Sequence, residues 1–423
     1  MFRSSLLIIS LFVTGSPARV ATVATPARAS LHHHTPDVRE ILGSARGVSP
    51  VICLLAGDGV ASTGRWGGGF WDAPAMSIGA EVRMRVREMM RSPLSTEDER
   101  ALLDALGSED ACVRHLASTI IGRSDEKTFV RPLTAKTDAA SPGERQSAAI
   151  ALGLLGARDA VDPLVKLLRD PSPDVRADGA WALGRIGDKR VARNVSVLLR
   201  DQYPDVRAAS VVALGHLEAR DNVDELLRVL KEDTSPEVRR VAAWSLGQLE
   251  SRNAIAGLAN ALRSDRSDEV REMSAWALGE MNTRGSTDAL AEALGRDRDA
   301  KVRATAAWAL GQIHSDHAPA PLVAALRDSD DDVRLKAAWA LSQIGDASAV
   351  PAVTQALKQD QPERVRQALV RALLESGEHS EEALEGLLQS KDDKTRELAV
   401  RALSGRKGPW PWPWPWPRPR PTP

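Results

Sequence analysis

The sequence predicts an all-α protein, an α-α superhelix of about ten two-helix repeats. Three observations support this fold class. An arginine returns at steps of 30 to 32 residues, the same phrase surrounds it each time, and each unit carries two apolar segments with helical spacing. A period this short is typical of a solenoid rather than of a globule with one core. The phrase reads KVRATAAWALGQI from Lys301 and DVRLKAAWALSQIG from Asp332. The recurring arginines are Arg114, Arg145, Arg176, Arg207, Arg239, Arg271, Arg303, Arg334, Arg366 and Arg396.

The chain begins with features of a secretory signal peptide, which we predict over residues 1–29. Arg3 supplies a positive start, residues 6–13 are apolar, and Ala27-Arg28-Ala29 is a small-residue cleavage site. The apolar run is too short for a standard transmembrane helix. We therefore expect an exported bacterial protein, periplasmic or secreted.

Residues 30–93 are predicted to form an N-terminal helical cap, because a terminal repeat would otherwise expose its apolar face. Short helices are expected around residues 37–42, 49–56 and 81–90. Between them GRWGGGFWDAP, from Gly64, is too rich in glycine for a regular helix. Cys53 lies in this region and Cys112 in the first repeat. In an oxidising compartment they could pair, or both could be small buried thiols.

Repeats are predicted over residues 94–405, with a first helix such as NVDELLRVLKED from Asn222 and a second such as PEVRRVAAWSLGQL from Pro236. An aspartate six residues before the arginine marks the end of the first helix. Serine at the N-cap and proline at the first helical position begin the second helix, and a glycine near its end permits close packing and a turn. These residues are Asp170, Asp201, Asp233, Asp265, Asp297, Asp328 and Asp360; Ser172, Ser235 and Ser267; Pro173, Pro204 and Pro236; and Gly184, Gly215, Gly247, Gly279 and Gly311.

These units resemble HEAT repeats, specifically the short kind found in phycobilisome-lyase-like proteins, over about three quarters of the chain. The resemblance implies an armadillo/HEAT-type solenoid. It also implies a structural ladder between adjacent units, formed by an acid and the arginine that follows it. Lys301 and Arg364 replace that acid, so the ladder is expected to weaken there. The implied ladder residues are Asp174 with Arg176, Asp205 with Arg207, and Asp332 with Arg334.

The second helix has a packed face and an opposite face when the arginine is placed at zero and each residue turns ~100°. Val302, Ala306, Ala307, Leu310 and Ile313 cluster in one arc, which predicts the core side. Five tryptophans lie five positions after the arginine on the opposite side, and polar residues share that side nine positions after it. The resemblance implies that this side is concave. The residues predicted to bind a partner are Trp181, Trp244, Trp276, Trp308, Trp339, Gln248, Gln312 and Gln343.

Two interpretations of the tryptophan row remain open. Tryptophan gives a large contact area at low entropic cost, which suits a protein or peptide partner. Alternatively, each ring lies flat on the alanine-rich surface of the next repeat and fills space. Scattered Asp and Glu near this face are interpreted as a solvated surface.

The tail, residues 406–423, alternates proline with tryptophan and then arginine, a pattern that forbids helix and sheet. Tryptophan prefers the membrane interface and arginine is drawn to anionic phosphates, so the tail could contact envelope lipid or another surface. An aromatic groove on a partner could equally bind it, or it could be disordered without a partner. The residues concerned are Trp410, Trp412, Trp414, Trp416, Arg418 and Arg420.

No metal or cofactor site is predicted. His314 and His317 form an H-x-x-H pair with no evident third ligand, and His32 would be third in a chain cleaved after Ala29, where it could chelate Cu(II). We interpret both segments as ordinary solvated loops.

Composition and motifs favour a non-enzymatic scaffold that binds a protein or peptide partner in the cell envelope. The net charge of -1 excludes a globally basic nucleic-acid binder. The chain lacks G-x-S-x-G, H-E-x-x-H, C-x-x-C and a phosphate loop. The alternative is an enzyme with similar repeats, resembling phycobilin lyases or deoxyhypusine hydroxylase. The latter uses His-Glu dipeptides as iron ligands, and this chain has none.

Overall fold

The computed structural model describes residues 38–44, 93–124, 127–313, 315–359, 361–376, 379–390 and 392–404. Throughout these residues the regular secondary structure is helical, with short 3-10 turns and no strand. The helices alternate between first and second members of a repeat, which confirms the predicted all-α solenoid. None of the helices in these segments is both long and apolar enough to cross a membrane.

Residues 1–37, 45–92 and 405–423 lie outside the described part of the chain, as do residues 125–126, 314, 360, 377–378 and 391. The predicted signal peptide, most of the predicted cap, the tail with its tryptophans and arginines, Cys53, His314 and the repeat aspartate Asp360 therefore remain predictions.

One helix, α1 (Val38–Ser44), precedes the repeats at the place where a short helix was expected. The first helices of the repeats are α2 (Thr96–Ala105), α4 (Val130–Lys136), α6 (Val161–Leu167), α8 (Ala192–Ser196), α10 (Val223–Glu232), α12 (Ile255–Ser264), α14 (Thr287–Arg296), α16 (Ala320–Ala324), α18 (Val350–Leu357) and α20 (His379–Leu387). The second helices are α3 (Ala111–Ser124), α5 (Pro142–Leu154), α7 (Pro173–Ile186), α9 (Pro204–His216), α11 (Pro236–Leu249), α13 (Asp268–Glu280), α15 (Ala300–Gln312), α17 (Asp331–Ile344), α19 (Glu363–Glu375) and α21 (Asp393–Leu403).

The second helices begin at the predicted residues, with proline at the first helical position of α7, α9 and α11. Serine stands at the predicted N-cap position, but its side chain caps only in part of the set. Ser235 Oγ accepts a hydrogen bond from the Val238 amide, whereas the side chains of Ser172 and Ser267 make no cap hydrogen bond. Asp299 caps α15 through its carboxylate, so an acid substitutes for serine there.

The recurring glycines lie inside the second helices rather than in the turns after them, so the turn part of that prediction is wrong. A Cβ added to Gly184 would lie 2.8 Å from Ala213 Cα on the next second helix. These glycines are therefore needed for close approach between helices. A different glycine, Gly187, ends α7 with a φ of 74°, a left-handed conformation that favours glycine.

The hydrophobic core runs the length of the described solenoid, between the first and second helices and between successive second helices. The predicted core positions are buried: Val302, Ala306 and Ala307 are 0% exposed. Leu310 and Ile313 complete the same buried arc. The 3.6-residue period of the sequence thus located the packed face correctly.

Candidate functional site

An arginine–aspartate ladder links each repeat to the next. Arg176 Nε donates to Asp201 Oδ2 at 2.8 Å, and its Nη2 donates to Oδ1 at 3.0 Å. Such a two-bonded pair fixes both distance and orientation between the partners. Equivalent pairs are Arg145–Asp170, Arg207–Asp233, Arg239–Asp265, Arg271–Asp297 and Arg303–Asp328.

Each ladder residue also organises its own loop. Arg207 Nη1 donates to the backbone oxygen of Asp201 at 2.9 Å, six residues before it in the chain. Asp201 Oδ1 in turn accepts the backbone amide of Tyr203 at 3.0 Å. One aspartate therefore ties together the loop that carries it, the arginine of the preceding repeat and, through its carbonyl, the arginine of its own repeat.

The acids implied by the family resemblance are not the ladder partners, and that assignment is wrong. Asp174 and Asp205 are exposed in the first turn of their own helices. Arg334 contacts Gln361 at 3.0 Å and Asp331, not Asp332. The physical reason is helix geometry, because a residue two positions before the arginine lies ~160° around the helix from it.

The expected weakening at Lys301 is also wrong. Arg303 Nε and Nη2 donate to Asp328 at 2.8 and 2.9 Å, as in the other repeats. The ladder changes from the next repeat on, where Arg334 donates to Gln361 at 3.0 Å. In the repeat of Arg364, Arg366 contacts Asp392 at 3.1 Å and Glu363 at 3.3 Å. Position 301 takes no part in the ladder, because Asp328 of the next repeat accepts the hydrogen bonds from Arg303.

The pKa values of four ladder aspartates, Asp170, Asp265, Asp297 and Asp328, are lowered, which favours their charged state. Burial by itself raises the pKa of Asp265, but hydrogen bonds from Arg239 and from the Ser267 amide outweigh burial and lower that pKa. The side chains of Arg271 and Asp297 are 6% and 8% exposed. Ion pairs this deeply buried fix the register between repeats more than they add net stability. The cost of removing both charges from water offsets much of their mutual attraction.

The tryptophans are packed between repeats. Trp244, Trp276, Trp308 and Trp339 are 2% to 6% exposed, and Trp181 is half-buried. Each ring fills a notch left by a glycine of the preceding repeat: a Cβ added to Gly279 would lie 2.9 Å from Trp308 Cζ3. The same relation joins Gly153 to Trp181, Gly215 to Trp244, Gly247 to Trp276 and Gly311 to Trp339.

This burial favours the space-filling interpretation of the tryptophan row over a flat aromatic binding surface. The expected contact was with the alanine-rich surface of the next repeat. Each ring instead packs against the glycine of the preceding repeat. A role for the tryptophans in binding stays a prediction, and the little of each ring that is exposed limits it to edge contacts.

Polar residues lie on the solvent side of the tryptophan row. Gln248 is exposed, and Gln312 and Gln343 are half-buried. The Arg185 guanidinium lies over the Trp181 ring, 5.9 Å from its centroid. His216 meets Trp244 edge-on, with ring centroids 5.4 Å apart. The accessible part of the second-helix surface is therefore polar, with aromatic groups beneath it. The polar positions are Arg185, His216, Gln248, Glu280, Gln312 and Gln343.

An acidic row that sequence reasoning treated as a solvated surface also lies on this side. Its members stand two positions before the ladder arginine in four consecutive repeats. Burial, then the charges of Glu269 and Asp205 against the opposing effect of Arg240, raises the pKa of Glu237 to about 7. The row comprises Asp174, Asp205, Glu237 and Glu269.

Among the described side chains no group of three or more His, Cys, Asp or Glu is arranged to hold a metal ion. His317 is exposed, with Nδ1 3.8 Å from Asp346 Oδ2.

A family model described as HEAT repeats matches residues 130–214, 191–279, 255–342, 287–374 and 319–404. A comparison with curated proteins gave no significant match. Among solved structures, importin beta is similar with a TM-score of 0.56 and 15% identity, over 87% of this chain and 61% of that chain. The Kap95:Nup1 complex is similar with a TM-score of 0.51 and 15% identity, over 77% and 52%. The complex of CpcE and CpcF of phycocyanin lyase from Nostoc gives a TM-score of 0.37 and 21% identity, over 64% and 97%. The chain thus spans less than two thirds of the matched importin beta and Kap95:Nup1 chains.

Proposed function

This chain belongs to the HEAT-repeat family, and from that premise we propose that it is a non-enzymatic scaffold whose second-helix face binds a protein or peptide partner. One observation carries the proposal. The arginine–aspartate ladder sets successive repeats in the same register, so side chains at equivalent positions form continuous rows along one face. A partner with an extended segment can contact such rows over several repeats.

We infer that the second-helix face is the inner face of the solenoid. Second helices of successive repeats contact one another more extensively than first helices do. The notches at Gly184 and Gly279 bring those helices together. A stack of repeats curves toward the layer whose members lie closer, so the second helices are expected to line the concave side.

Rigidity supports a binding role. The buried tryptophans and the ladder hold the inner face in place before any partner arrives, and preorganisation reduces the entropic cost of binding. Importin beta and Kap95 provide an analogy in fold alone, and Kap95 is found in complex with the protein Nup1.

The test places a photo-crosslinking residue at Gln248 or Gln343 on the inner face. The control carries it at Gln355, which is exposed on a first helix. All three positions replace the same residue type. We expect crosslinks to a discrete partner from the two inner positions and none from Gln355. Equal crosslinking from all three, or none from any, would refute the inner-face scaffold.

Export to the cell envelope belongs to the same proposal and rests on the sequence features of residues 1–29. N-terminal sequencing of the protein recovered from fractionated cells tests it. A mature chain starting near Ser30 supports export, whereas an intact start in the cytoplasmic fraction contradicts it.

A further inference from the structure

The acidic row of Asp174, Asp205, Glu237 and Glu269 occupies the start of four consecutive second helices. Asp174, Asp205 and Glu269 are exposed, and Glu237 is half-buried. By helix geometry these positions lie within ~20° of the tryptophans around the helix, so the row belongs to the inner face.

Helix capping explains part of this pattern. An acid in the first turn of any helix is favoured by the macrodipole, and all four residues have that position. Two further acids lie deeper in their helices, where the dipole contributes little: Asp178 is the sixth residue of α7 and Glu272 the fifth residue of α13. The accumulation of negative charge therefore exceeds what helix stability requires.

Asp178 is the independent sign that the row has a ligand. It is 2% exposed, one turn beyond Asp174, and near enough for the charge of Asp174 to act on it. One side of its carboxylate interacts with Gln146, whereas Oδ2 is buried and accepts no hydrogen bond from the described residues. A buried ionised acceptor without a donor is costly, and either a proton on the carboxyl or a cationic group from outside the chain relieves that cost.

Arg240 shows which chemistry fits this surface. Its guanidinium donates to both carboxylate oxygens of Glu237, at 2.7 and 3.0 Å. It pairs with one acid of the row, and Asp205 and Glu269 flank that pair in the neighbouring repeats. A cationic side chain from a partner would find similar carboxylates at each of these repeats.

We propose that the inner face from α7 to α13 binds a lysine- or arginine-rich segment of the partner; this rests on the proposed scaffold function. The equivalent position in the next repeat is Lys301, so the row ends there. Three steps between helices about 8–10 Å apart give a row of roughly 24–30 Å. An extended chain covers that length with about seven to nine residues.

The experiment measures binding of fluorescein-labelled nonalysine to the full chain by fluorescence anisotropy, at about 0.15 M salt so that long-range attraction is screened. The inner variant carries Asp174→Asn, Asp205→Asn and Glu269→Gln. The outer control carries Asp224→Asn, Asp288→Asn and Glu225→Gln. All six side chains are exposed, so both variants should fold and both change net charge equally.

We expect the inner variant to bind about tenfold more weakly, since it loses three exposed ion pairs that are each weak. The outer control should change affinity less than about twofold. An equal loss of affinity in both variants would show that only net charge matters, and it would overturn the proposal. So would undetectable binding by the wild-type chain. If nonalysine binding fails while crosslinking from Gln248 persists, the cationic partner is wrong and the scaffold function stands; loss of both refutes both.

Discussion

Replacing Asp178 by Asn tests the electrostatics of the inner face most directly. Asp178 lies in the interior of α7, where burial raises its pKa from 3.8 to about 7. The hydrogen bond with Gln146 opposes that shift, and the charge of Asp174 adds to it. The folded chain therefore binds a proton at this carboxyl that the unfolded chain releases near pH 4.

The sign and size of the effect follow from linkage. Because the folded-state pKa is raised, the folded state binds more protons than the unfolded state between pH 4 and 7, and stability falls as pH rises through that window. At about 1.4 kcal/mol per unit, burying Asp178 costs about 4 kcal/mol at pH 8, where the folded carboxyl is ionised, and about 2 kcal/mol at pH 5, where it has to take up a proton. Asparagine has nearly the same shape and never ionises. Asp178→Asn should therefore stabilise α7 more at pH 8 than at pH 5, by about 2 kcal/mol.

The assay is hydrogen exchange of the α7 amides followed by mass spectrometry, at pH 5 and pH 8. It reports local opening, which suits a solenoid whose repeats need not unfold together. Asp174→Asn is the matched control, because Asp174 is exposed on the same helix. Removing its charge lowers the pKa of Asp178 only slightly, so this variant should change protection far less than Asp178→Asn. A stability gain for Asp178→Asn that is independent of pH, or larger at pH 5, would refute the reasoning.

The remaining predictions concern packing, the ladder and the tail. Gly279→Ala should destabilise the chain by about 1–3 kcal/mol in urea denaturation, because its Cβ would lie 2.8 Å from the next second helix. Gly386→Ala, whose added Cβ meets no atom within 4 Å, should be neutral or stabilising. An equal loss of stability in the two glycine variants would contradict the close packing at Gly279. Asp297→Asn should cost about 3–5 kcal/mol by leaving a buried arginine uncompensated. Glu292→Gln removes one partner of an ion pair that is about 45% exposed and should cost less than about 1 kcal/mol. A lower thermal midpoint for Glu292→Gln than for Asp297→Asn would contradict the structural role of the ladder. Deleting residues 408–423 should lower co-sedimentation with anionic vesicles if the tail contacts lipid, and unchanged co-sedimentation would exclude that role.

The sequence alone was sufficient for the class of fold, the alternation of helices and the packed face. These depend on properties that act within a single repeat. Proline sets the start of α7, and the 3.6-residue period places Val302 and Leu310 in the core. The period of the arginine then indicates that the unit is copied along the chain.

Contacts between repeats could not be predicted in the same way. Asp174 and Asp201 are both plausible partners of Arg176 by sequence, and only the stacking of α7 on α9 places the second within reach. A glycine inside a helix normally destabilises it, so the notch that receives Trp308 is apparent only when two helices are packed together.

The sequence by itself determined what each repeat is: two helices, a core stripe and a turn with an aspartate. The tertiary structure decided how one repeat meets the next, and with it the ladder partners, the burial of the tryptophans and the proximity of Asp205, Glu237 and Glu269. The physical reason is distance. Residues about 32 positions apart interact only after stacking brings equivalent helices within about 10 Å, and no local propensity encodes that spacing.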